Sequence, residues 1–215
     1  MKKVILGATG SIGSSLAKKL VDSGEQVHLV GRDEASLSEL ANELNSTFTT
    51  CDVLEENFSE KIINDLKDEQ VNGLAYCVGS IDLKPLKLTK KSDFMQSFNL
   101  NLVSATEIIK SLADNLKASK GSIVLFSTVA VQQGFPNHAI VSSAKGAVEG
   151  LTLALAAEYA PNIRVNCIAP SLTNSKISNF LLKNEKMAES IAKMHPLKRI
   201  GAVSYTHLRA HETIR

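Results

Sequence analysis

The sequence has little of what marks secreted, membrane and nucleic-acid-binding proteins. Its cysteines, Cys51, Cys77 and Cys167, are odd in number and lie in apolar strand-like segments, which favours reduced thiols over disulfides or metal ligands. The first apolar run is broken by Gly7 before a signal peptide could form, and none approaches a membrane span. The net charge is only +2, with acids and bases interspersed. We therefore expect a cytoplasmic protein with a small-molecule substrate, no metal, no nucleic acid and no membrane partner.

Internal repeats and Pro/Ser-rich linkers are also absent, so 215 residues that are 44% hydrophobic predict one α/β domain. Short apolar runs alternate with amphipathic stretches, which indicates repeated βαβ units and a doubly wound, Rossmann-type parallel sheet between two helical layers. The predicted strands are Val4–Leu6, Gln26–Val30, Thr47–Cys51, Gly73–Val78, Ser122–Ser127 and Ile163–Ile168. The predicted helices are Ser14–Ser23, Glu34–Leu44, Phe58–Glu69, Phe94–Leu116 and Ser142–Ala160. The ligand site of such a sheet lies at the carboxyl ends of its strands.

Three glycines spaced by three follow the first strand and lead into the first helix. Glycine lets the backbone turn sharply and lets a diphosphate come close, while the N–H groups and dipole of the helix face the anion. The pattern therefore predicts a dinucleotide cradle, with an ordinary Gly-rich turn as the alternative. The predicted cradle residues are Gly7, Gly10, Ser11, Ile12 and Gly13.

The ends of the second and third strands carry predicted contacts to the adenosine half of the dinucleotide. An acidic residue after the second strand would hold the ribose 2′-OH of NAD, but the chain has Arg32 there, a guanidinium suited to a 2′-phosphate. We therefore predict NADP in preference to NAD, unless Arg32 is a solvated cation neutralised by Asp33 or Glu34. Asp52 could accept a hydrogen bond from the adenine amine, and a capping or turn role is its alternative.

Motifs along nearly the whole chain, up to about Gly201, resemble the short-chain dehydrogenase/reductase family. After the Gly-rich turn they are Cys51-Asp52-Val53, Leu125-Phe126-Ser127-Thr128, the stretch from Ser142 to Leu151, and Arg164-Val165-Asn166-Cys167-Ile168-Ala169-Pro170. The resemblance implies a Rossmann-type fold, NAD(P) as hydride carrier and an alcohol or carbonyl substrate. It also implies homodimers or homotetramers built on the two long central helices.

The resemblance assigns further residues to the cofactor. Asp52, followed by Val53, matches the family's adenine-contacting aspartate, and Lys145 matches its ribose-binding lysine. Gly79 is the glycine that remains from the family's turn after the fourth strand, where the backbone comes close to the cofactor. Pro170 matches the turn beside the nicotinamide.

The catalytic positions match only in part. Asn101 corresponds to the family's helix asparagine of the proton relay, Lys145 to its lysine, and Thr128 to its carbonyl-polarising serine, with Ser127 beside it. The predicted catalytic residues are therefore Thr128, Lys145 and Asn101. The family's active-site tyrosine, however, is replaced by Val141, which can neither donate nor accept a proton. Such general acids and bases contribute roughly 10²–10⁴-fold in rate.

Three residues could stand in for the missing phenol. His138 lies three residues before Val141 and carries an imidazole, which titrates in the useful range, although it could equally be a loop or subunit contact. Tyr76 ends the fourth strand near the cofactor, unless the alternation of the strand turns its ring into the core. Thr128 with a water chain is the third option. We predict an NADP(H)-dependent oxidoreductase, with a catalytically impaired NAD(P)-binding regulatory or scaffold protein as the alternative.

The C-terminal part changes character. Residues 171–194 correspond to the family's substrate lid, with apolar side chains at Leu172, Ile177, Phe180, Leu181 and Met187. The dinucleotide-binding domain is predicted to cover residues 1–201. Residues 202–215 do not continue the family pattern and resemble a non-native tail on a truncated reading frame, with a genuine divergent tail as the alternative. No function is assigned to them.

Overall fold

The computed structural model describes residues 1–67, 69–173, 175, 178, 189, 193, 200 and 201. Six parallel strands form one sheet in the order β3-β2-β1-β4-β5-β6. They are β1 (Lys2–Leu6), β2 (Gln26–Gly31), β3 (Thr47–Thr50), β4 (Val71–Tyr76), β5 (Ser122–Phe126) and β6 (Arg164–Ile168). The strand order reverses beside β1, which confirms the predicted doubly wound topology and places its switch point between β1 and β4.

Seven α-helices occur in the described part of the chain: α1 (Ser11–Asp22), α2 (Glu34–Glu43), α3 (Phe58–Leu66), α4 (Lys91–Phe98), α5 (Ser104–Ala118), α6 (Ala130–Gln133) and α7 (Ala139–Tyr159). A 3₁₀ turn, Leu86–Leu88, precedes α4. The predicted helix Phe94–Leu116 was wrong as one element, because a π-helical segment, Asn99–Val103, separates α4 from α5. Helices α1 and α7 each begin three residues before their predicted starts. For α1 the reason is that Gly10 already takes the extended N-cap conformation.

The core is divided by the sheet into two apolar layers. Val4 and Leu6 of β1 pack in the layer that contains α3, α5 and α7, whereas Ile5 packs in the layer of α1 and α2. This alternation along one strand is the period of two that a pleated strand imposes. Because helices cover both faces, parallel strands of this kind are continuously apolar, which is why they could be recognised in the sequence.

Helix α7 carries the candidate active-site lysine on its inner face. By length and composition it is the one helix in the described ranges that could cross a membrane. However, it packs on β5 and β6, and its inner residues Ile140, Val141 and Ala144 are buried with Lys145. These contacts are those of a central helix in an α/β protein.

Candidate active site

The Gly-rich turn and the start of α1 form a tight concave surface at the carboxyl end of β1. Gly7 has a φ of +73°, and a Cβ atom on it would lie 3.0 Å from the carbonyl carbon and oxygen of Cys77. A Cβ atom on Gly13 would collide with the carbonyl oxygen of Gly7. The N–H of Gly10 donates to that same oxygen at 3.0 Å. The predicted cradle residues therefore come together, and the missing side chains leave room for a diphosphate at the positive end of α1.

The adenosine end of the site contains an ion pair that the sequence reasoning missed. The Arg32 guanidinium lies 3.4 Å from a carboxylate oxygen of Asp52, and its side chain is 73% exposed. Asp33 is occupied elsewhere, since its carboxylate caps α2 by accepting bonds from the N–H and hydroxyl of Ser36. The other Asp52 oxygen accepts the N–H of Leu54 at 3.0 Å, which is the turn role considered for it. Arg32 thus stays accessible to a phosphate beside an ordered carboxylate.

Three further predicted cofactor residues lie at the carboxyl edge of the sheet or just beyond it. Val53 is buried, and its carbonyl accepts the hydroxyl of Ser104, which ties the loop after β3 to α5. The carbonyl of Pro170 accepts the N–H of Val129 at 3.2 Å, so the turn after β6 is joined to the segment after β5. Gly79 lies after β4, on the other side of the switch point from the glycine cradle.

Two predicted catalytic side chains converge on Gly79. The Oδ1 atom of Asn101 and the Nζ atom of Lys145 each lie 3.1 Å from the point where a Cβ atom on Gly79 would stand. Asn101 belongs to the π-helical segment, and its Nδ2 donates to the carbonyl of Ser97 at 2.8 Å. Its Oδ1 is buried and has no hydrogen-bond partner among the residues that the structure describes. A buried acceptor left open beside an ammonium is a site for a water or a ligand hydroxyl.

Lys145 is held in a low-dielectric setting. The residue is 8% exposed, and no carboxylate of the described residues lies within ion-pair distance of it. Burial is the main cause that lowers the pKa of its ammonium to about 8, while the Cys167 and Cys77 thiols act weakly in the opposite direction. Lys145 can therefore exchange a proton near neutral pH, which an exposed lysine does not do.

The two hydroxyls after β5 have different surroundings. Ser127 is buried, and its hydroxyl donates to a carboxylate oxygen of Glu149 at 2.6 Å, so it points into α7. Thr128 is half-buried, and its hydroxyl accepts the N–H of Ala130 at 3.3 Å. That bond leaves the hydroxyl proton of Thr128 for another partner. Of the two, Thr128 is the one whose hydroxyl can polarise a carbonyl.

The side chains considered as replacements for the missing phenol have different surroundings. Val141 is 5% exposed and lies one helical turn before Lys145. Tyr76 is not an acid for the site, because its ring is buried and its hydroxyl donates to the carbonyl of Leu100 at 2.7 Å. Burial raises the pKa of that phenol further. His138 caps the start of α7, and its Nδ1 lies 2.7 Å from the carbonyl oxygen of Pro136.

Some predicted features lie outside the described residues. They are four of the five apolar lid positions, Ile177, Phe180, Leu181 and Met187, and the segment 202–215. Among the described residues no group of three His, Cys, Asp or Glu side chains could hold a metal ion.

Comparison with known proteins agrees with this geometry. A family model described as enoyl-(acyl carrier protein) reductase matches residues 7–206. A tropinone reductase homolog of Arabidopsis thaliana is 33% identical over 211 residues, covering 94% of this chain and 80% of the relative. The L-xylulose reductase of Bos taurus is 29% identical over 208 residues, covering 94% of this chain and 84% of that protein.

Solved structures share the fold closely. The structure titled ElxO with NADP bound has a TM-score of 0.86 at 26% identity and covers 94% of this chain and 86% of its own. A putative NAD(P)-dependent gluconate 5-dehydrogenase from Beutenbergia cavernae with bound NADP has a TM-score of 0.88 at 25% identity, covering 94% and 84%. With the family model spanning almost the entire chain, these matches confirm the predicted resemblance: the chain belongs to the short-chain dehydrogenase/reductase family.

Proposed function

We propose that this protein is an NADP(H)-dependent oxidoreductase that moves a hydride between the nicotinamide and a carbonyl or alcohol carbon of a small substrate. The observation that carries the proposal is the convergence of Lys145 and Asn101 on Gly79, opposite the glycine cradle across the switch point. The names of the relatives, a tropinone reductase homolog and an L-xylulose reductase, agree with a reductase. Two structural neighbours carry NADP by their titles.

The residues of the site fit such a dinucleotide. The cradle of Gly7, Gly10 and Gly13 would hold the diphosphate where Cβ atoms would block it. The exposed guanidinium of Arg32 would bind the 2′-phosphate, and Lys145 the nicotinamide ribose. When bound, the nicotinamide supplies or accepts the hydride.

The chain's own residues would orient the substrate and handle charge. The Thr128 hydroxyl can donate to the substrate oxygen, and the ammonium of Lys145 raises the positive potential where negative charge develops on that oxygen. The open Oδ1 of Asn101 can hold a water that exchanges protons with Lys145. Val141 contributes nothing to this traffic, so the proton has to come from a group other than a phenol.

A second candidate function is a nucleotide-binding regulatory or scaffold protein that has lost turnover. The buried Val141 favours it, since the cradle and Lys145 could bind the cofactor without any acid at position 141. Lys145→Met separates the two functions, with Lys110→Met on the exposed face of α5 as the matched control. An enzyme would lose both NADPH affinity and turnover in the first variant only. A binder would lose affinity with no turnover to lose, measured by fluorescence titration and by NADPH oxidation.

The cofactor preference has its own test. NADPH and NADH are titrated by fluorescence into the wild type and Arg32→Ser. We expect NADPH to bind at least about tenfold more tightly than NADH, about 1.4 kcal/mol, and Arg32→Ser to remove that difference while NADH binding stays unchanged. Equal wild-type affinities for the two nucleotides would overturn the preference for NADP. If neither nucleotide binds, both proposed functions fail.

We further propose a homodimer or homotetramer built through α5 and α7, in the cytoplasm. Support for the assembly comes from Leu153 on α7, 74% exposed, and from Val103 just before α5, 44% exposed. Reduced Cys51, Cys77 and Cys167 suit a reducing compartment. Sedimentation of the wild type and Leu153→Glu tests the assembly, because a charge at that position should dissociate the copies. An unchanged mass for Leu153→Glu would contradict this interface.

A further inference from the structure

We propose that His138 donates the proton that the missing phenol at position 141 would otherwise give, through its Nε2 atom. The inference rests on the proposed oxidoreductase function and names the acid of that site. Of the three candidates, Tyr76 is committed to the core and Thr128 carries a hydroxyl, which is a weak acid unless its environment activates it. His138 is the candidate that remains, and it is the N-cap residue of α7, three residues before the position of the missing phenol.

The helix places His138 on the same stripe as the site. It is the N-cap of α7, and its carbonyl accepts the N–H of Ser142 at 2.8 Å, so its backbone is ordered by the first turn. It precedes Val141 by three residues and Lys145 by seven, spacings that share one helical face. Side chains on an α-helix lean toward its N-terminus, so the space that a longer residue at 141 would fill lies over the turn that His138 begins. Valine is shorter than tyrosine and does not reach as far over that turn.

The hydrogen bond to Pro136 determines which nitrogen is available. A carbonyl oxygen only accepts, so the Nδ1 atom of His138, 2.7 Å from the Pro136 oxygen, carries the hydrogen of that bond. The Nε2 atom is then the one that gains and loses a proton. The ring also lies against Phe135, with ring centroids 5.4 Å apart and planes tilted by 53°. Together the hydrogen bond to Pro136 and the contact with Phe135 fix the orientation of the imidazole ring.

The charges around His138 come from three elements. On the neighbouring loop, the N–H of Lys84 donates to the carbonyl of Asn137 at 3.0 Å, and the ammonium of Lys84 pairs with Asp82 at 3.3 Å and with Asp93 of α4 at 3.1 Å. On α7 itself the charged residues of the same stripe are Lys145, two turns along, and Glu149, one turn further, whose carboxylate accepts the Ser127 hydroxyl at 2.6 Å. The loop charges are paired with each other.

The proton step balances with the hydride transfer. Bound NADPH would supply the hydride by breaking one of its own C–H bonds; a C–H bond would form on the carbonyl carbon, and the π pair of the C=O bond would move to oxygen. That oxygen takes the proton from Nε2, so the imidazolium becomes a neutral imidazole and the product is an alcohol. The ring regains its proton from water before the next turnover. Alcohol oxidation would run the same transfers in reverse, with the neutral imidazole as base.

The test compares the wild type, His138→Gln, Val141→Tyr and the double variant. NADPH affinity is measured by fluorescence titration, and NADPH oxidation is followed with a panel of small ketones, aldehydes and keto sugars across pH. We expect His138→Gln to bind NADPH normally and to lose roughly 10²–10⁴-fold in kcat. In the wild type kcat/KM for reduction should fall as pH rises, because the step needs the protonated imidazole. The double variant should regain kcat relative to His138→Gln and keep it to higher pH, because the phenol introduced at position 141 then donates the proton.

The outcomes distinguish a failure of His138 as the acid from a failure of the proposed oxidoreductase function. If His138→Gln keeps the wild-type rate and pH profile, His138 is not the acid, and the oxidoreductase stands. A wild-type kcat/KM for reduction that does not fall with rising pH overturns the inference without any variant. If the wild type binds NADPH but turns over no carbonyl of the panel, the proposed oxidoreductase fails and His138 as its acid fails with it.

Discussion

The stability of this protein should depend on pH through one buried histidine away from the candidate active site. His28 of β2 is 0% exposed, and its two ring nitrogens lie 2.8 and 3.0 Å from the hydroxyls of Thr47 and Thr49 on β3. Burial is the largest cause that lowers its pKa from 6.5 to about 4. The positive charge of Lys2 acts in the same direction, and the carboxylates of Asp65 and Glu69 oppose it in part.

The pKa of His28 is lower in the folded protein than in the unfolded chain, and this difference sets the direction in which stability changes with pH. Because the folded protein holds His28 neutral, the unfolded chain binds the proton first, and acid favours unfolding. The effect is absent above the unfolded value of 6.5 and grows as pH falls toward 4. At 1.36 kcal/mol per pKa unit, the loss of unfolding free energy is about 2 kcal/mol at pH 5 and about 3 kcal/mol near pH 4.

Urea unfolding of the wild type and of His28→Gln, at pH 7 and at pH 5, measures this loss. Carboxylates also titrate in acid, but they do so in both proteins, so the difference between the two pH dependences isolates His28. Gln is neutral at both values and similar in size, and we expect its unfolding free energy to fall by about 2 kcal/mol less than that of the wild type. If both proteins lose the same amount of stability between pH 7 and pH 5, the proton balance derived for His28 is refuted.

Three other substitutions test the site and the core. Gly13→Ala should weaken NADPH binding by at least about tenfold in a fluorescence titration, since its Cβ atom would collide with the Gly7 carbonyl and displace the start of α1. Its control, Gly150→Ala, adds a methyl group with nothing within 4 Å in the middle of α7 and should instead stabilise the fold by about 0.5–1 kcal/mol. Gly79→Ala places a methyl group 3.1 Å from both Asn101 Oδ1 and Lys145 Nζ, so we expect kcat to fall more than NADPH affinity, and equal losses would contradict that position. Tyr76→Phe removes the bond to the Leu100 carbonyl and should cost about 1 kcal/mol of unfolding free energy without changing kcat, so a large fall in kcat would return Tyr76 to the site.

The parts of the fold that the sequence predicted well are those with a strong local signal. All six strands were recognised, because parallel strands buried on both faces are short continuous apolar runs. The tight Gly-rich turn was predicted correctly, because Gly7 and Gly13 lie where a side chain would collide with backbone atoms. The direction of Tyr76 was also open to prediction. It lies two residues from Leu74, on the face of β4 that joins the core with Val4 and Leu6, so the alternation of the strand turns it inward.

What the sequence could not predict depends on tertiary context. The π-helical segment Asn99–Val103 has an ordinary helical sequence, and the extra residue per turn that brings Asn101 to Gly79 leaves no mark in the periodicity. The pairing of Arg32 with Asp52 joins the ends of two strands that lie 20 residues apart in the chain. Asp33, the nearer carboxylate in sequence, is instead used by the helix that it caps.

Val141 shows why the fold could be predicted from the sequence while the identity of the proton donor could not. Its neighbours on the inner face of α7 are Ile140, Ala144 and Val148, all buried and apolar, so an isopropyl group satisfies the packing of that face. A valine there also has no polar atom that requires a partner. The substitution therefore removes a proton donor without disturbing the helix that positions Lys145. The packing of this face therefore does not require the phenol, and the proposed proton step needs another residue.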